Sequence, residues 1–192
     1  MRWMFSVKQL WIYNKPTLGI LFSLALMVFL LPLRWLCAAV IAALIHELGH
    51  YCAVILLGGD VKGVSFGVSG AVMKASGLAK RSELICLLAG PLAGVLPAVI
   101  FRLCPTVAVC GILQSAYNLL PIYPLDGGKI MRNLIHMVGG TDRIFSVVEY
   151  SVLSLLFLVC LYIRIRFGIS LFIFLLGFLF RKTPCKPHQD WI

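Results

Sequence analysis

Charged residues are scarce in this 192-residue chain, and acidic residues most of all. Only 12% of the chain is charged, with 7 Asp and Glu against 17 Lys and Arg, for a formal net charge of +10. Hydrophobic residues make up 61% of it, and the mean hydropathy is +0.99, whereas an ordinary globular domain is about half apolar. The composition predicts a polytopic membrane protein with no room for a second sizeable soluble domain.

Paired cysteine motifs are absent as well. The seven cysteines form no Cys-x-x-Cys pair and lie mostly within apolar runs, which is typical of small hydrophobic residues and argues against a disulfide scaffold. In a soluble protein the positive charge would suggest nucleic acid. Here the basic residues lie between apolar runs and at the ends, where they orient helices and contact anionic lipid headgroups. No nucleic-acid partner is expected.

Six apolar runs approach the length needed to cross about 30 Å of hydrocarbon, and the last one is short. With a cytoplasmic N-terminus, thirteen basic residues fall inside and four outside, which favours both termini in the cytoplasm. The fold class expected is all-α membrane, a polytopic bundle of six transmembrane helices. The predicted spans cover residues 17–33, 35–57, 84–103, 107–124, 144–163 and 167–180.

A glycine-rich segment, residues 58–77, interrupts the helical pattern. Val64, Phe66 and Val68 alternate with small or polar residues, and this period of two predicts a short β-hairpin after the second helix. Its edge, at Phe66, Gly67 and Val68, could pair with the backbone of an extended peptide. A purely connecting hairpin is the alternative, and both interpretations stay open.

The most informative motif is His46-Glu47-Leu48-Gly49-His50, which lies inside an apolar run. Histidines four residues apart on a helix are rotated by about 40° and separated by about 6 Å, so they can bind one ion. Imidazoles suit zinc, and Glu47 beside it can take a proton from water. Burying a charged side chain at a membrane centre costs roughly 2.5 to 3.5 kcal/mol, so such residues mark a function. The motif predicts zinc-dependent hydrolysis inside a membrane.

A catalytic zinc has three protein ligands, so one more must be found. Apart from Glu47, the acids within or at the end of predicted spans are Glu149 and Asp126. Asp126 follows two prolines and precedes two glycines, which let the backbone turn. A straight helix from residue 107 would place Asp126 about 12 Å deeper than His46. Either the helix starts later or it unwinds at Pro121, and both alternatives stay open.

Together with Asn118-x-x-Pro-x-x-Pro-Leu-Asp-Gly-Gly, the His46–His50 motif closely resembles the site-2 protease family of intramembrane zinc metalloproteases (peptidase family M50). Over roughly residues 35–135, the resemblance implies zinc ligands His46, His50 and Asp126. It further implies Glu47 as general base and Asn118 as a contact to substrate or to a ligand residue. The compact layout most resembles the stage IV sporulation protein FB branch of spore-forming bacteria.

Two features depart from that family. Gly94, which follows the family-like Ala89-Gly90-Pro91, stands where many members are expected to carry asparagine. Only Arg181–Ile192 follow the last predicted span, so a nucleotide-sensing CBS domain is not expected. The predicted organisation is a single transmembrane protease domain, 1–192 with its core at 35–135, without a PDZ or CBS domain.

The function expected is zinc-dependent peptide hydrolysis (Zn²⁺) in or near a membrane segment in a bacterial cell membrane. The partners expected are a membrane-embedded or membrane-tethered protein substrate, such as a sigma-factor precursor in sporulation, and the lipid bilayer. An inhibitory membrane partner is an open alternative. From another class of function, the alternative is a catalytically inactive metalloprotein that serves as a scaffold or zinc carrier.

Overall fold

The computed structural model describes residues 28–29, 31–67, 70–100, 102 and 104–168. In that part the chain is mostly helical. Its elements are α1 Leu33–Leu56, β1 Asp60–Gly67, β2 Gly70–Ser76, α2 Lys80–Val95, a 3-10 helix Leu96–Ile100, α3 Pro105–Asn118, α4 Asp126–Met137 and α5 Asp142–Phe167. Described residues up to Leu119 form one compact unit and those from Leu120 form a second. The single-domain organisation stays a prediction.

Helix α1 contains the His46–His50 motif and ends at a glycine. Gly58 has a φ of +77°, and the amides of Gly58 and Gly59 donate to the carbonyls of Ile55 at 3.1 Å and Val54 at 2.9 Å. This is a Schellman ending, in which a left-handed glycine lets the last carbonyls of a helix find donors. The 24 residues of α1 extend about 36 Å at 1.5 Å each, which is enough to cross a bilayer core of about 30 Å.

A two-stranded antiparallel sheet follows α1, with Asp60 opposite Ser76 at its open end. Met73 and Ala75, two positions apart on β2, are buried, so they lie on the inward face of the pleat. The sheet occupies the segment in which the glycine-rich sequence predicts extended structure. The residues between the two strands, 68–69, lie outside the described residues, and the hairpin stays a prediction.

Small residues bring α1, α2 and α3 close together. A side chain added at Gly49 on α1 would place its Cβ 2.5 Å from Ala93 Cβ and 2.6 Å from the Ala89 carbonyl of α2. Between α2 and α3, a Cβ at Gly111 would overlap the Gly94 carbonyl. Small residues at such contacts are typical of helix packing in membranes, where close van der Waals contact replaces a hydrophobic driving force.

Three described helices are long and apolar enough to span a membrane: Leu33–Leu56, Lys80–Val99 and Asp142–Phe167. They correspond to the second, third and fifth predicted spans. The first span lies mostly, and the sixth almost entirely, outside the described residues. The bundle of six helices therefore stays a prediction, whereas the apolar helical architecture is present.

The predicted fourth span, 107–124, differs from the structure at its end. Helix α3 has 14 residues and stops at Asn118, so its length is about 21 Å. Residues 119–125 form turns and bends. A proline disfavours helical backbone in the residue before it, so Pro121 ends the helix although the sequence there remains apolar. The chain unwinds before Pro121, which was one of the two alternatives that the sequence left open.

The second unit contains the loop 120–125, α4 and α5. Ile122 and Leu125 of the loop are buried and form its core. At the connection between α4 and α5, Arg132 Nε and His136 Nε2 each lie 3.0 Å from Asp142 Oδ1. The connection is thereby held by charged and polar groups, and the loop core is apolar.

We expect Gly49→Ala to destabilise the protein, because its added methyl group would meet a backbone carbonyl that cannot rotate away. Overpacking of this kind costs about 1 to 3 kcal/mol. Thermal unfolding in detergent should show a lower Tm. The control is Leu48→Phe, which enlarges a neighbouring side chain that is 58% exposed. Equal Tm values for Gly49→Ala and the wild type would contradict the close packing.

Candidate metal centre

The two histidines of the motif face each other inside the first unit. His46 is 2% exposed and His50 is 4% exposed, although both belong to an apolar helix. Their ring centroids are 4.9 Å apart, and the two Nε2 atoms are separated by 3.2 Å. The helical spacing predicted from the sequence therefore brings two imidazole nitrogens to one point.

A carbonyl of helix α2 determines which nitrogen of the His50 ring carries the hydrogen. His50 Nδ1 lies 2.8 Å from the Cys86 carbonyl oxygen. A carbonyl can only accept a hydrogen bond, so Nδ1 carries the proton. In the neutral ring, Nε2 then keeps its lone pair and can bind a metal. A backbone carbonyl on the far nitrogen is a common way of orienting a metal-binding histidine.

A corresponding argument applies to His46. The Asn118 side-chain nitrogen at the end of α3 lies 3.2 Å from His46 Nε2. An amide nitrogen can only donate, so His46 Nε2 is the unprotonated nitrogen of the ring, and its single lone pair is the one that a metal would take in place of this hydrogen bond. Asn118, which the sequence assigns to a contact with substrate or with a ligand residue, therefore contacts a predicted zinc ligand directly.

These nitrogen atoms fit a zinc ion. Two ligand nitrogens at 2.0 to 2.1 Å from a tetrahedral zinc are separated by about 3.3 Å, close to the 3.2 Å between the two Nε2 atoms. Two lone pairs this close repel each other unless a cation or a proton lies between them. The imidazole pair is thus suited to hold a cation of the size and preference of zinc.

Glycine on α2 makes room for the imidazole pair. A Cβ added at Gly90 would overlap His50 Nε2, which is the nitrogen available to a metal. Gly90 is part of the Ala89-Gly90-Pro91 segment, but the sequence does not show that it contacts a histidine ring. The signal that could have found it is a glycine beside a proline within an apolar helix.

The packing around Gly94 leaves no space for the asparagine expected at this position. A Cβ at Gly94 would overlap Ser115 Oγ and would lie 3.6 Å from His46 Nδ1. Ser115, which is 2% exposed, donates from Oγ to the Pro91 carbonyl at 2.8 Å. In this chain a serine of α3 occupies the space beside α2, and a larger residue at 94 would displace it. Sequence reasoning missed Ser115.

Glu47 lies next to His46 on α1 and is partly buried. One residue along a helix is a rotation of about 100°, so Glu47 faces the sector beside the two rings. This position agrees with the role of a general base, which the sequence motif predicts and which remains a prediction.

Asp126 belongs to the second unit, where it is the first residue of α4. It is 7% exposed, and like His46 and His50 it is buried. The positive end of the helix dipole favours a carboxylate at this position, and Lys129 Nζ lies 3.7 Å from Asp126 Oδ1. The sequence places Asp126 at the end of a span, whereas the structure places it at the start of a new helix.

Two of the residues predicted to contact substrate, Phe66 and Gly67, lie on the sheet. Phe66 and Gly67 are the last residues of β1, and Val68 falls outside the described residues. Within β1, Phe66 pairs with Ala71 and Gly67 with Gly70 of β2. The extended backbone is present, and the role of these residues in binding a substrate remains a prediction.

Fold and site together define a membrane protein with a buried histidine pair on an apolar helix. The same fold occurs in a site-2 protease from Methanocaldococcus jannaschii. That structure has a TM-score of 0.59 against this chain at 19% identity, over 89% of this chain and 90% of that one.

Sequence comparisons point to the same class of protein. The model of peptidase family M50 matches residues 100–162. A zinc metalloprotease of Methanocaldococcus jannaschii is 24% identical over 109 residues, or 50% of this chain. The chain spans 32% of the length of that curated relative. The family model and the curated relative both point to peptidase family M50 over part of this chain, and the solved structure shares its fold.

We expect Gly90→Ala to weaken zinc binding, because its methyl group would occupy the space of His50 Nε2. The loss should be at least about tenfold, the lower end of what is seen when groups around metal ligands are changed. Competition with a chromophoric chelator measures the affinity. Gly63→Ala is the matched control, because a Cβ there meets nothing within 4 Å. Unchanged affinity in Gly90→Ala would contradict the proposed ligand atom.

Proposed function

We propose that the protein is an intramembrane zinc metalloprotease that hydrolyses a peptide bond in or near a membrane-embedded segment of another protein. The observation that carries the proposal is the buried pair of imidazole nitrogens 3.2 Å apart on a helix apolar enough to span a membrane. Both nitrogens present lone pairs, and a buried polar pair in such a helix marks a function.

Zinc would be held by His46, His50 and Asp126. The distance between the two Nε2 atoms supports the two histidines as ligands. Asp126 comes from the sequence pattern shared with the site-2 proteases, and its burial supports the assignment, since a carboxylate withdrawn from water needs a cationic partner. Lys129 is one such partner within α4.

The chain's own residues then carry the proton transfers. Bound zinc supplies Lewis acidity, which acidifies water and polarises a peptide carbonyl. Glu47 takes the proton of the attacking water and delivers it to the leaving amine. Asn118 Nδ2 lies beside His46 Nε2, and once a metal takes the His46 lone pair this amide can donate to the substrate.

The substrate would be a membrane-embedded or membrane-tethered protein. A transmembrane helix shields its peptide carbonyls by hydrogen bonding, so the segment must unwind before it is cut. Weak helices and helix ends are therefore favoured. Phe66 and Gly67 at the end of β1, together with Val68, would hold the unwound strand by backbone pairing, and a simple connecting role for the sheet is the alternative.

The finer assignments rest on the sequence. They are the stage IV sporulation protein FB branch, a sigma-factor precursor as substrate, a multi-pass bacterial location with cytoplasmic termini, and control by an inhibitory membrane partner. The distribution of basic residues supports the orientation, and the other three come from the family resemblance. Cleavage assays with membrane-tethered precursors would identify the substrate.

A catalytically idle metalloprotein, serving as a scaffold or zinc carrier, is the competing function. It needs the ligands but no general base. Glu47 therefore separates the two functions, because an enzyme requires a general base beside the ligand pair and a carrier does not.

Glu47→Gln should retain zinc and lower the rate of cleavage of a membrane-tethered substrate by about 100- to 10,000-fold, the contribution typical of general acid–base catalysis. The change keeps the size of the side chain and removes its basicity. Zinc content and product formation in detergent are measured on the same preparation. Full retained proteolysis would remove Glu47 from the mechanism, and no proteolysis by the wild-type protein on any tethered substrate would favour the carrier.

Asp126→Asn should weaken zinc binding by more than about 100-fold, beyond the range seen for groups that only support a ligand. The amide oxygen is a poorer ligand than a carboxylate, and the size is unchanged. Asp142→Asn is the matched control, because this acid is largely exposed and pairs with Arg132. Zinc affinity equal to that of the wild type in Asp126→Asn would require another third ligand.

A further inference from the structure

A buried acid lies on α5 in the second unit. Glu149 on α5 is 6% exposed, whereas its neighbour Tyr150 is 63% exposed. Helix α5 is otherwise among the most apolar segments of the chain. An ionisable group in such a helix is retained only where it does something, and the proposed mechanism does not use it.

Glu149 accepts a hydrogen bond from the loop that precedes Asp126. The Tyr123 amide donates to Glu149 Oε1 at 2.7 Å. Two neighbouring amides are already used, since those of Ile122 and Leu125 bond to the carbonyls of Leu120 and Ile122, respectively. Pro121 and Pro124 have no amide hydrogen. The Tyr123 amide needs an acceptor away from water, and Glu149 provides it.

Apolar contacts hold the same loop on the same face of α5. Ile122 and Leu125 pack against Val152, Leu153 and Leu156. These three residues follow Glu149 by three, four and seven positions, which places them on one side of a helix. The hydrogen bond to Tyr123 and the apolar core therefore act together to seat the loop on α5.

The loop in turn touches the first turn of α4. A Cβ added at Gly128 would lie 2.6 Å from the Tyr123 nitrogen and 2.5 Å from the Ile122 carbonyl oxygen. The peptide that Glu149 binds is thus packed directly against the turn that begins with Asp126. Movement of the Tyr123 peptide would shift this turn, because no space separates them.

We propose that Glu149 is a positioning residue that sets the direction of the Asp126 carboxylate by holding the Tyr123 peptide. It contacts neither the metal nor the substrate in this role. The inference rests on the proposed function, in which Asp126 binds zinc. It adds a residue from a further helix, α5, to the groups that determine how firmly zinc is held.

The test compares zinc affinity in the full-length protein in detergent for Glu149→Gln and Glu149→Leu. Gln keeps an oxygen that accepts from the Tyr123 amide, and Leu removes it at similar size. We expect Gln to bind zinc within about threefold of the wild type and Leu to bind it about 10- to 100-fold more weakly, the range for groups that orient metal ligands. Ser151→Ala is the control, because the Ser151 hydroxyl bonds only within α5, to the Val147 carbonyl.

Hydrogen exchange at the Tyr123 amide provides a second readout. It should be slow in the wild-type protein and in Glu149→Gln, and fast in Glu149→Leu. If Glu149→Leu does not fold, the wild type and Glu149→Gln decide. Rapid exchange of the Tyr123 amide in the wild type would overturn the proposal. Slow exchange of this amide in both proteins, with zinc affinity in Glu149→Gln within about threefold of the wild type, would support it.

Two further outcomes would overturn the inference: wild-type zinc affinity in Glu149→Leu, and a loss in Glu149→Gln as large as that in Glu149→Leu. Failure of the proposed function looks different. In that case the wild-type protein binds no zinc, or Asp126→Asn binds it normally, whatever the residue at position 149.

Discussion

The structure depends on burying two imidazole rings on a helix that is largely apolar. Burying a polar ring is costly unless its nitrogens are hydrogen-bonded or bind a metal. His50 Nδ1 donates a hydrogen bond to the Cys86 carbonyl, and the absence of a side chain at Gly90 leaves space for Nε2. Helices α1 and α2 approach closely through Gly49, which allows a carbonyl of one helix to reach a ring of the other. Metal chemistry and helix packing therefore share the same contacts.

Polar side chains also hold backbone segments near proline. Ser115 Oγ donates to the Pro91 carbonyl, and Glu149 accepts from the amide between Pro121 and Pro124. Away from water, backbone groups that do not bond within a helix must be satisfied by another element. In both cases a residue distant in sequence does so, and in both cases the segment that it holds adjoins a residue of the proposed catalytic site.

Much of the helical architecture could be predicted because apolar runs and helical spacing are local. The second, third and fifth predicted spans correspond to long helices, and the extended segment after α1 is a strand pair. The fourth span is the exception. Residues 119–124 are as apolar as a membrane helix, but Pro121 stops the helix at Asn118, so hydropathy alone extends it too far. The start of α4 at Asp126 was not predicted, because hydropathy alone places this residue at the end of the fourth span.

The sequence by itself determined which side chains can meet on one helix: His46 and His50 are four residues apart, and a single helical turn brings them together. It also supplied Asp126, Glu47 and Asn118 through their motifs. Only the tertiary structure decided which ring nitrogen is free to bind a metal, why Gly90 and Gly94 lack side chains, and what Glu149 holds. These depend on contacts between residues far apart in the sequence, and the distances involved are set by helix packing, which no local pattern encodes.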